Sequence, residues 1–325
     1  MTSTTADSSR GQRHSAAERR IVLVHAHPDD ETINDGALMA RLVAEGAHVT
    51  VVTCTLGELG EVLVPELSEL AADRDGGLGE HRIGEMAQAM RELGVTDHRF
   101  LGGAGRYHDS GMVWSEAGGA MASHDLPEGA FWTADLLEAA DHLVEVLREL
   151  RPQVVVTYDQ FGGYGHPDHV QAHRVTTYAV ALAAVPSYRP DLGAAWDVAK
   201  VYWTAMSESR MRAGIRRLRE QGDTTTFEGM DPDGPLPPFA VPDEQLTAAV
   251  DSTAYVQQKL AAMRAHATQI AVDGPFFALS NNVGNEVWGI EFYRLAKGTP
   301  GPSDPDTGFE ADLFAGLPIG SADDR

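Results

Sequence analysis

The repeating order of short apolar runs and amphipathic stretches narrows this chain's folding options more than any other feature. Ile21-Val22-Leu23-Val24-His25-Ala26, His48 to Cys54 and Val154-Val155-Val156-Thr157-Tyr158 are runs of buried-strand type. Between them, Glu31 to Glu45 reads as a helix closing at Gly46. Ile83, Met86, Ala87, Met90 and Leu93 mark one face of a second helix, ended by Gly94. Leu136, Leu137, Ala140, Leu143, Val144, Leu147 and Leu150 mark a third, stopped by Pro152. Strands separated by helices need crossover connections, and right-handed crossovers build a mostly parallel sheet with helices on both faces. The expected fold is α/β and Rossmann-like, with a smaller C-terminal subdomain. Residues 1–19 read as a disordered tail and 20–298 as a single domain, with a core at 20–205 and the subdomain at 206–298. Residues 299–325 read as a turn-rich tail.

In such a sheet, ligands sit beyond the carboxyl ends of the strands. Two motifs stand there: His27-Pro28-Asp29-Asp30, followed by Glu31, and His166-Pro167-Asp168-His169. Either one alone reads as a proline-fixed turn, with Asp30 capping the helix after the first. Together they place imidazoles and carboxylates at two neighbouring strand ends, and the chemical reading prevails. A hydrolytic zinc site takes three nitrogen or oxygen ligands and leaves a position for water. His27, Asp30 and His169 supply such a set. Asp29 is then the candidate general base, and His166 or Tyr164 a donor to the developing oxyanion. His166 can also protonate the leaving amine if Asp168 raises its pKa. Two histidines and a carboxylate suit iron(II) as well, but a carboxylate beside a ligand favours water activation, and zinc leads. No Gly-x-Gly-x-x-Gly follows the first strand, which argues against dinucleotide binding.

Composition limits the partners. The chain carries 48 acidic against 25 basic residues, a net charge of −23. That balance repels phosphate backbones and anionic lipid, so neither nucleic acid nor a membrane surface is expected to bind. The single cysteine, Cys54, excludes an internal disulfide and a thiolate cluster, and its apolar surroundings make it a small buried hydrophobe. Residues Met1 to Arg19 lack the apolar centre of a secretion signal, and no apolar run is long enough to cross a bilayer. A cytoplasmic location is expected.

The two motifs resemble those of the PIG-L/LmbE-like family of zinc-dependent deacetylases, Ala26 to Glu31 matching its Ala-His-Pro-Asp-Asp-Glu block and His166 to His169 its His-Pro-Asp-His. Similarity extends to Thr53 to Glu58, Arg82 to Glu85, Leu101 to Arg106, Asp109 to Met112, Gly162 to Gly165, Ala265 to Gln269 and Ala278 to Asn282. The resemblance implies one zinc per chain on His27, Asp30 and His169, Asp29 as base, and His166 and Tyr164 at the oxyanion, with Asp168 supporting His166. It also implies that Arg82, Asp109, Glu61 and Asn34 contact substrate hydroxyls. The implied substrate is a small N-acetylated amino-sugar, N-acetylglucosaminyl-inositol in mycothiol biosynthesis. The sibling activity is a mycothiol S-conjugate amidase. A non-catalytic metal- or sugar-binding module is the contrasting class, but it has no use for a base at Asp29.

Overall fold

The computed structural model describes residues 19–116, 119–237, 239–278 and 286–318. The N-terminal tail before residue 19, the matched residues 279–282 and the last residues after 318 lie outside the described residues.

The chain runs β1 (Arg20–His25), α1 (Asp30–Ala44), β2 (His48–Thr53), α2 (Leu78–Leu93), β3 (Asp97–Phe100), the paired β4 (Val113–Trp114) and β5 (Ala120–Met121), then α3 (Leu136–Leu150). It continues through β6 (Val154–Thr157), the single turn α4 (Gly162–Gly165), α5 (Pro167–Ala183), β7 (Lys200–Ser207) and α6 (Glu208–Glu220). Last come β8 (Ala240–Val241), β9 (Ala248–Asp251), α7 (Val256–Ala265) and β10 (Ile290–Lys297). The main sheet has the order β3-β2-β1-β6-β7-β10-β9, with β8 paired to β7. From β3 to β7 neighbouring strands are parallel; β10 is antiparallel to both β7 and β9.

Strand alternation sorts the core into two layers. Ile21 and Leu23 of β1 pack with Leu38, Met39, Met86 and Met90 of α1 and α2 on one face. Val22 and Val24 pack with Leu143, Val144, Val175 and Ala179 of α3 and α5 on the other. Helix α3 is capped by Asp135, whose side chain accepts from Leu137 N and Glu138 N, and α2 ends on left-handed Gly94.

The C-terminal part is where structure adds most. Residues after α6 contribute β8, β9 and β10 to the same sheet. The segment beyond Gly298, read as a tail, folds back onto the core. Leu313 and Phe314 are buried in the α1–α2 layer, and buried Glu310 accepts from Lys200 Nζ at 2.7 Å and Tyr202 Oη at 2.7 Å. Burying two such groups is costly unless they meet, so the pairing ties the segment to β7.

Strand order reverses between β1 and β6: from β1 the chain moves outward through β2 and β3, then returns to β6 and β7. This is the switch point at which parallel α/β sheets open a crevice. The two histidine motifs occupy its two sides.

Candidate metal centre

The turn after β1 sets the first half of the site. Asp29 occupies the N-cap position of α1, with φ 111° and ψ −35°, and its side chain makes no capping bond. A non-glycine residue there costs of order 1–3 kcal/mol, so other contacts must hold it. Asp30, expected to cap the helix, is instead its first residue. Its Oδ2 accepts from His27 N at 3.0 Å and lies 3.3 Å from His27 Nδ1 and 3.4 Å from His169 Nε2.

The turn after β6 sets the second half. Gly162, Gly163 and Gly165 all have positive φ, and a Cβ on Gly162 would stand 2.7 Å from that of His169. His166 caps α5 through Nδ1, which accepts from Asp168 N at 3.1 Å, leaving the proton of the neutral ring on Nε2.

The hydrogen bonds also fix which nitrogens point inward. His169 Nδ1 faces the Gly162 carbonyl at 3.2 Å, so Nε2 turns its lone pair toward Asp30; it has no hydrogen-bond partner and is buried. His27 Nε2 faces Asp168 Oδ2 at 3.2 Å, leaving Nδ1 toward Asp30 Oδ2. Tetrahedral zinc with bonds of about 2.0–2.1 Å spaces its ligand atoms about 3.3 Å apart. The two measured separations are compatible with that spacing, and His27, His166 and His169, as well as His27, Asp109, His166 and Asp168, bring their ligand atoms within 4.8 Å of one another. The site therefore fits a metal ion held by His27, Asp30 and His169. The ring of Tyr158 stacks on His169 at 4.2 Å between centroids and steadies it from behind.

Electrostatics agree. Burial works against charge on His27, yet Asp109, Asp168 and Asp30 around it push its pKa well above the usual value. Burial likewise opposes ionisation of Asp30, but His169 and His27 hold its carboxyl well below the carboxylate range. Asp29 is different. Burial lifts its pKa to about 6 against the pull of Arg82, and nearby Asp30 adds to the rise. That suits a base working near neutrality.

Asp168 supports His166 through its backbone N–H, which donates to Nδ1 at 3.1 Å, while its carboxylate accepts from Ser110 N at 2.8 Å and Ser110 Oγ at 2.5 Å and meets His27. One expectation needs correction: the pKa of His166 is not raised. Burial and the neighbouring His27 and His169 push it down to about 2, which favours the neutral ring. Burial and Asp30 raise the Tyr164 phenol, keeping it protonated, and its ring lies 5.2 Å from that of His169.

A cavity of about 550 Å³ joins these groups, lined also by Arg82, Asp109, Glu61 and Asn34. Arg82 is 2% exposed; its guanidinium donates to Gly57 O at 2.9 Å and to Pro28 O, and lies 3.2 Å from Asp29 Oδ2. Asp109 accepts from Leu59 N and Gly111 N and is 3.6 Å from His27 Nε2. Asn34 donates to Asp30 O at 2.8 Å, and Glu61 is exposed at the rim. Sequence reasoning passed over Ser110 and Tyr158. Ser110 lay inside the matched Asp109 to Met112 block, which was the available signal; Tyr158 gave none beyond ending a strand.

A mostly parallel α/β sheet with histidines and carboxylates clustered at its switch point is the setting of an enzyme site. The model of the family "PIG-L: GlcNAc-PI de-N-acetylase" matches residues 22–180, and the chain belongs to that family and is a deacetylase. It is 70% identical over 92% of its length, and 99% of the relative's, to the 1D-myo-inositol 2-acetamido-2-deoxy-alpha-D-glucopyranoside deacetylase of a Nocardioides species. The enzyme of the same name from Kribbella flavida is 67% identical, with 92% and 98% covered. Among solved structures, the N,N'-diacetylchitobiose deacetylase of Pyrococcus horikoshii aligns with a TM-score of 0.55 at 19% identity, covering 87% of this chain and 84% of that one. A 4-carboxy-2-hydroxymuconate hydratase from Pseudomonas putida KT2440 aligns at 0.56 and 18%, covering 88% and 98%. These two establish the fold only, and the hydratase is a reminder that this fold carries other reactions. Among the described residues, no helix is long and apolar enough to cross a membrane.

Proposed function

We propose that the protein hydrolyses the N-acetyl group of 1D-myo-inositol 2-acetamido-2-deoxy-α-D-glucopyranoside, releasing the free amine and acetate, with zinc on His27, Asp30 and His169. The observation that carries this reading is the convergence of His27 Nδ1 and His169 Nε2 on Asp30 Oδ2 beside Asp29. Zinc held there supplies a Lewis acid and lowers the pKa of water toward ~7. Asp29 takes the proton of the attacking water and passes it to the amine nitrogen as the C–N bond breaks, and Arg82 keeps its carboxylate turned to the cavity. The Nε2–H of His166 and the phenol of Tyr164 donate to the oxygen of the amide as it gains charge. Asp168 holds the tautomer of His27, and Ser110 holds Asp168. Arg82, Asp109, Asn34 and Glu61 stand where the sugar and inositol hydroxyls would lie. The single buried Cys54 suits a reducing compartment, and we place the enzyme in the cytoplasm.

One observation favours a second activity on the same machinery. A side pocket of about 100 Å³, walled by Met206, Phe227, Phe239, Phe276 and Trp288, adjoins the cavity. The acetylated sugar has only a methyl group to offer it, whereas a mycothiol S-conjugate brings an apolar substituent. Release of amine from each substrate at equal concentration, by metal-stripped protein with and without zinc or iron(II), tests both readings. Metal-restored turnover of the acetylated sugar is expected. Absence of turnover with metal bound would refute the deacetylase reading, and faster cleavage of the conjugate would favour the amidase.

A further inference from the structure

Asp29 departs from the usual behaviour of an N-cap aspartate. Such a residue has extended backbone and caps its own helix with its carboxylate. Here φ 111° turns that carboxylate away from the helix and into the cavity. Its carbonyl is tied by Thr32 N at 3.0 Å and Ile33 N at 2.9 Å. Its N–H is tied by one group only among the contacts seen: Glu31 Oε2, at 2.9 Å.

Glu31 is wholly buried and does not line the cavity. Its other oxygen accepts from Thr32 Oγ1 at 2.6 Å and faces His266 Nε2 at 3.0 Å. His266 is also wholly buried and away from the cavity lining, one residue beyond α7. Its segment is fixed by Glu85, which accepts from Thr268 N at 2.8 Å and Thr268 Oγ1 at 2.7 Å. Glu85 stands on α2, the helix that also carries Arg82. The matched blocks around residues 82–85 and 265–269 therefore meet behind the turn that holds Asp29.

Resting on the deacetylase reading above, we infer that His266, acting through Glu31, is a positioning residue that holds the Asp29 backbone in its strained conformation and so aims the catalytic base. The physical argument is one of partners. A buried carboxylate that loses one of its hydrogen-bonding groups turns toward the donors that remain, here Thr32 Oγ1. Loss of His266 leaves Glu31 in that position and weakens its hold on the Asp29 N–H. The backbone then relaxes toward the extended region, and the carboxylate rotates back to cap α1. Asp30 and the two metal-facing histidines keep their own bonds.

The test compares His266→Ala and His266→Gln, each alone and combined with Asp29→Ala, by metal content, kcat, KM and crystal structure. H266A is expected to keep its zinc and its KM within about twofold, while kcat falls about ten- to a hundredfold, the scale of a misplaced catalytic group. H266Q, which can still donate to Glu31, is expected to recover most of the rate. Combined with D29A, H266A is expected to add no further loss, because the group it positions is gone. An equal fractional loss in both backgrounds, or an H266A rate equal to that of the wild type, would overturn the inference. If H266A does not fold, Glu31→Ala, which removes the acceptor of the Asp29 N–H, takes its place, with the same split between kcat and metal content expected. The crystal structure separates this inference from the reading it rests on. Should the wild type release no amine, an Asp29 backbone unmoved in H266A would still overturn the positioning role, and a displaced one would still support it.

Discussion

After β1 the chain turns through Asp29, an aspartate held at φ 111°; after β6 it turns through Gly162, Gly163 and Gly165, which reach positive φ without steric cost. Both turns deliver an imidazole to Asp30 Oδ2, at 3.3 Å and 3.4 Å. The difference follows from where the reactive side chain sits. The first turn must carry a carboxylate at its strained position, so glycine is not available there. Its conformation is held by side chains from distant segments: Arg82, Glu31 and, behind it, His266. The second turn keeps its functional side chains, His166 and His169, at the start of α5, where backbone is ordinary. Its strain is confined to glycines, and its tolerance is set by local volume. The first turn should therefore fail through remote changes and the second through added atoms.

The largest effect is expected where the two turns meet. Asp30→Ala removes the oxygen that both histidines face. Loss of supporting groups around a metal costs about 10–100-fold in affinity, so loss of this ligand should exceed that. Zinc titration of the stripped variant checks it, and wild-type affinity would show that Asp30 is no ligand.

Gly162→Ala should break the second turn alone. Positive φ and the contact with His169 together should lower stability by about 2–4 kcal/mol and weaken metal binding. Gly84→Ala is the control: nothing lies within 4 Å of its added Cβ, and the helix interior favours alanine by about 0.5–1 kcal/mol. Denaturant unfolding of both variants should show opposite signs.

Arg82→Gln sharpens the comparison through pH. Arg82 pulls the Asp29 pKa down against burial. Without it the pKa rises above its present value near 6, so Asp29 stays protonated to higher pH. The acid limb of the kcat/KM profile should move upward, while the zinc stoichiometry stays the same. An unmoved limb would disconnect Asp29 from that limb or Arg82 from Asp29. Ser110→Ala should have the smallest effect. It removes one of the two Ser110 bonds to Asp168, and zinc affinity should fall by less than about tenfold.

The parallel core was legible because its strands are buried on both faces and read as unbroken apolar runs between helical patterns. That the two histidine motifs share one crevice was legible for a related reason: motifs that end such strands have only one place to go. The antiparallel strands β9 and β10 were not, since Ala248–Asp251 and Ile290–Lys297 mix polar and apolar residues at the far edge of the sheet. The return of Leu313 and Phe314 to the core was equally hidden, because turn residues surround two isolated apolar side chains. Within the site, residue identity was readable but partnership was not. Asp168 stands two residues from His166 in sequence, yet α5 points its carboxylate at His27. Glu31 and His266 are 235 residues apart, and only the fold brings them into contact.

The most direct test is a zinc titration of metal-stripped wild type and Asp29→Ala, following bound metal and released amine in the same samples. Both proteins should bind one zinc per chain. Only the wild type should turn over at full rate, the variant being slower by about 10²–10⁴-fold. Equal rates in the two, or full turnover by the wild type before any zinc is added, would contradict a metal held by His27, Asp30 and His169 with Asp29 as its base.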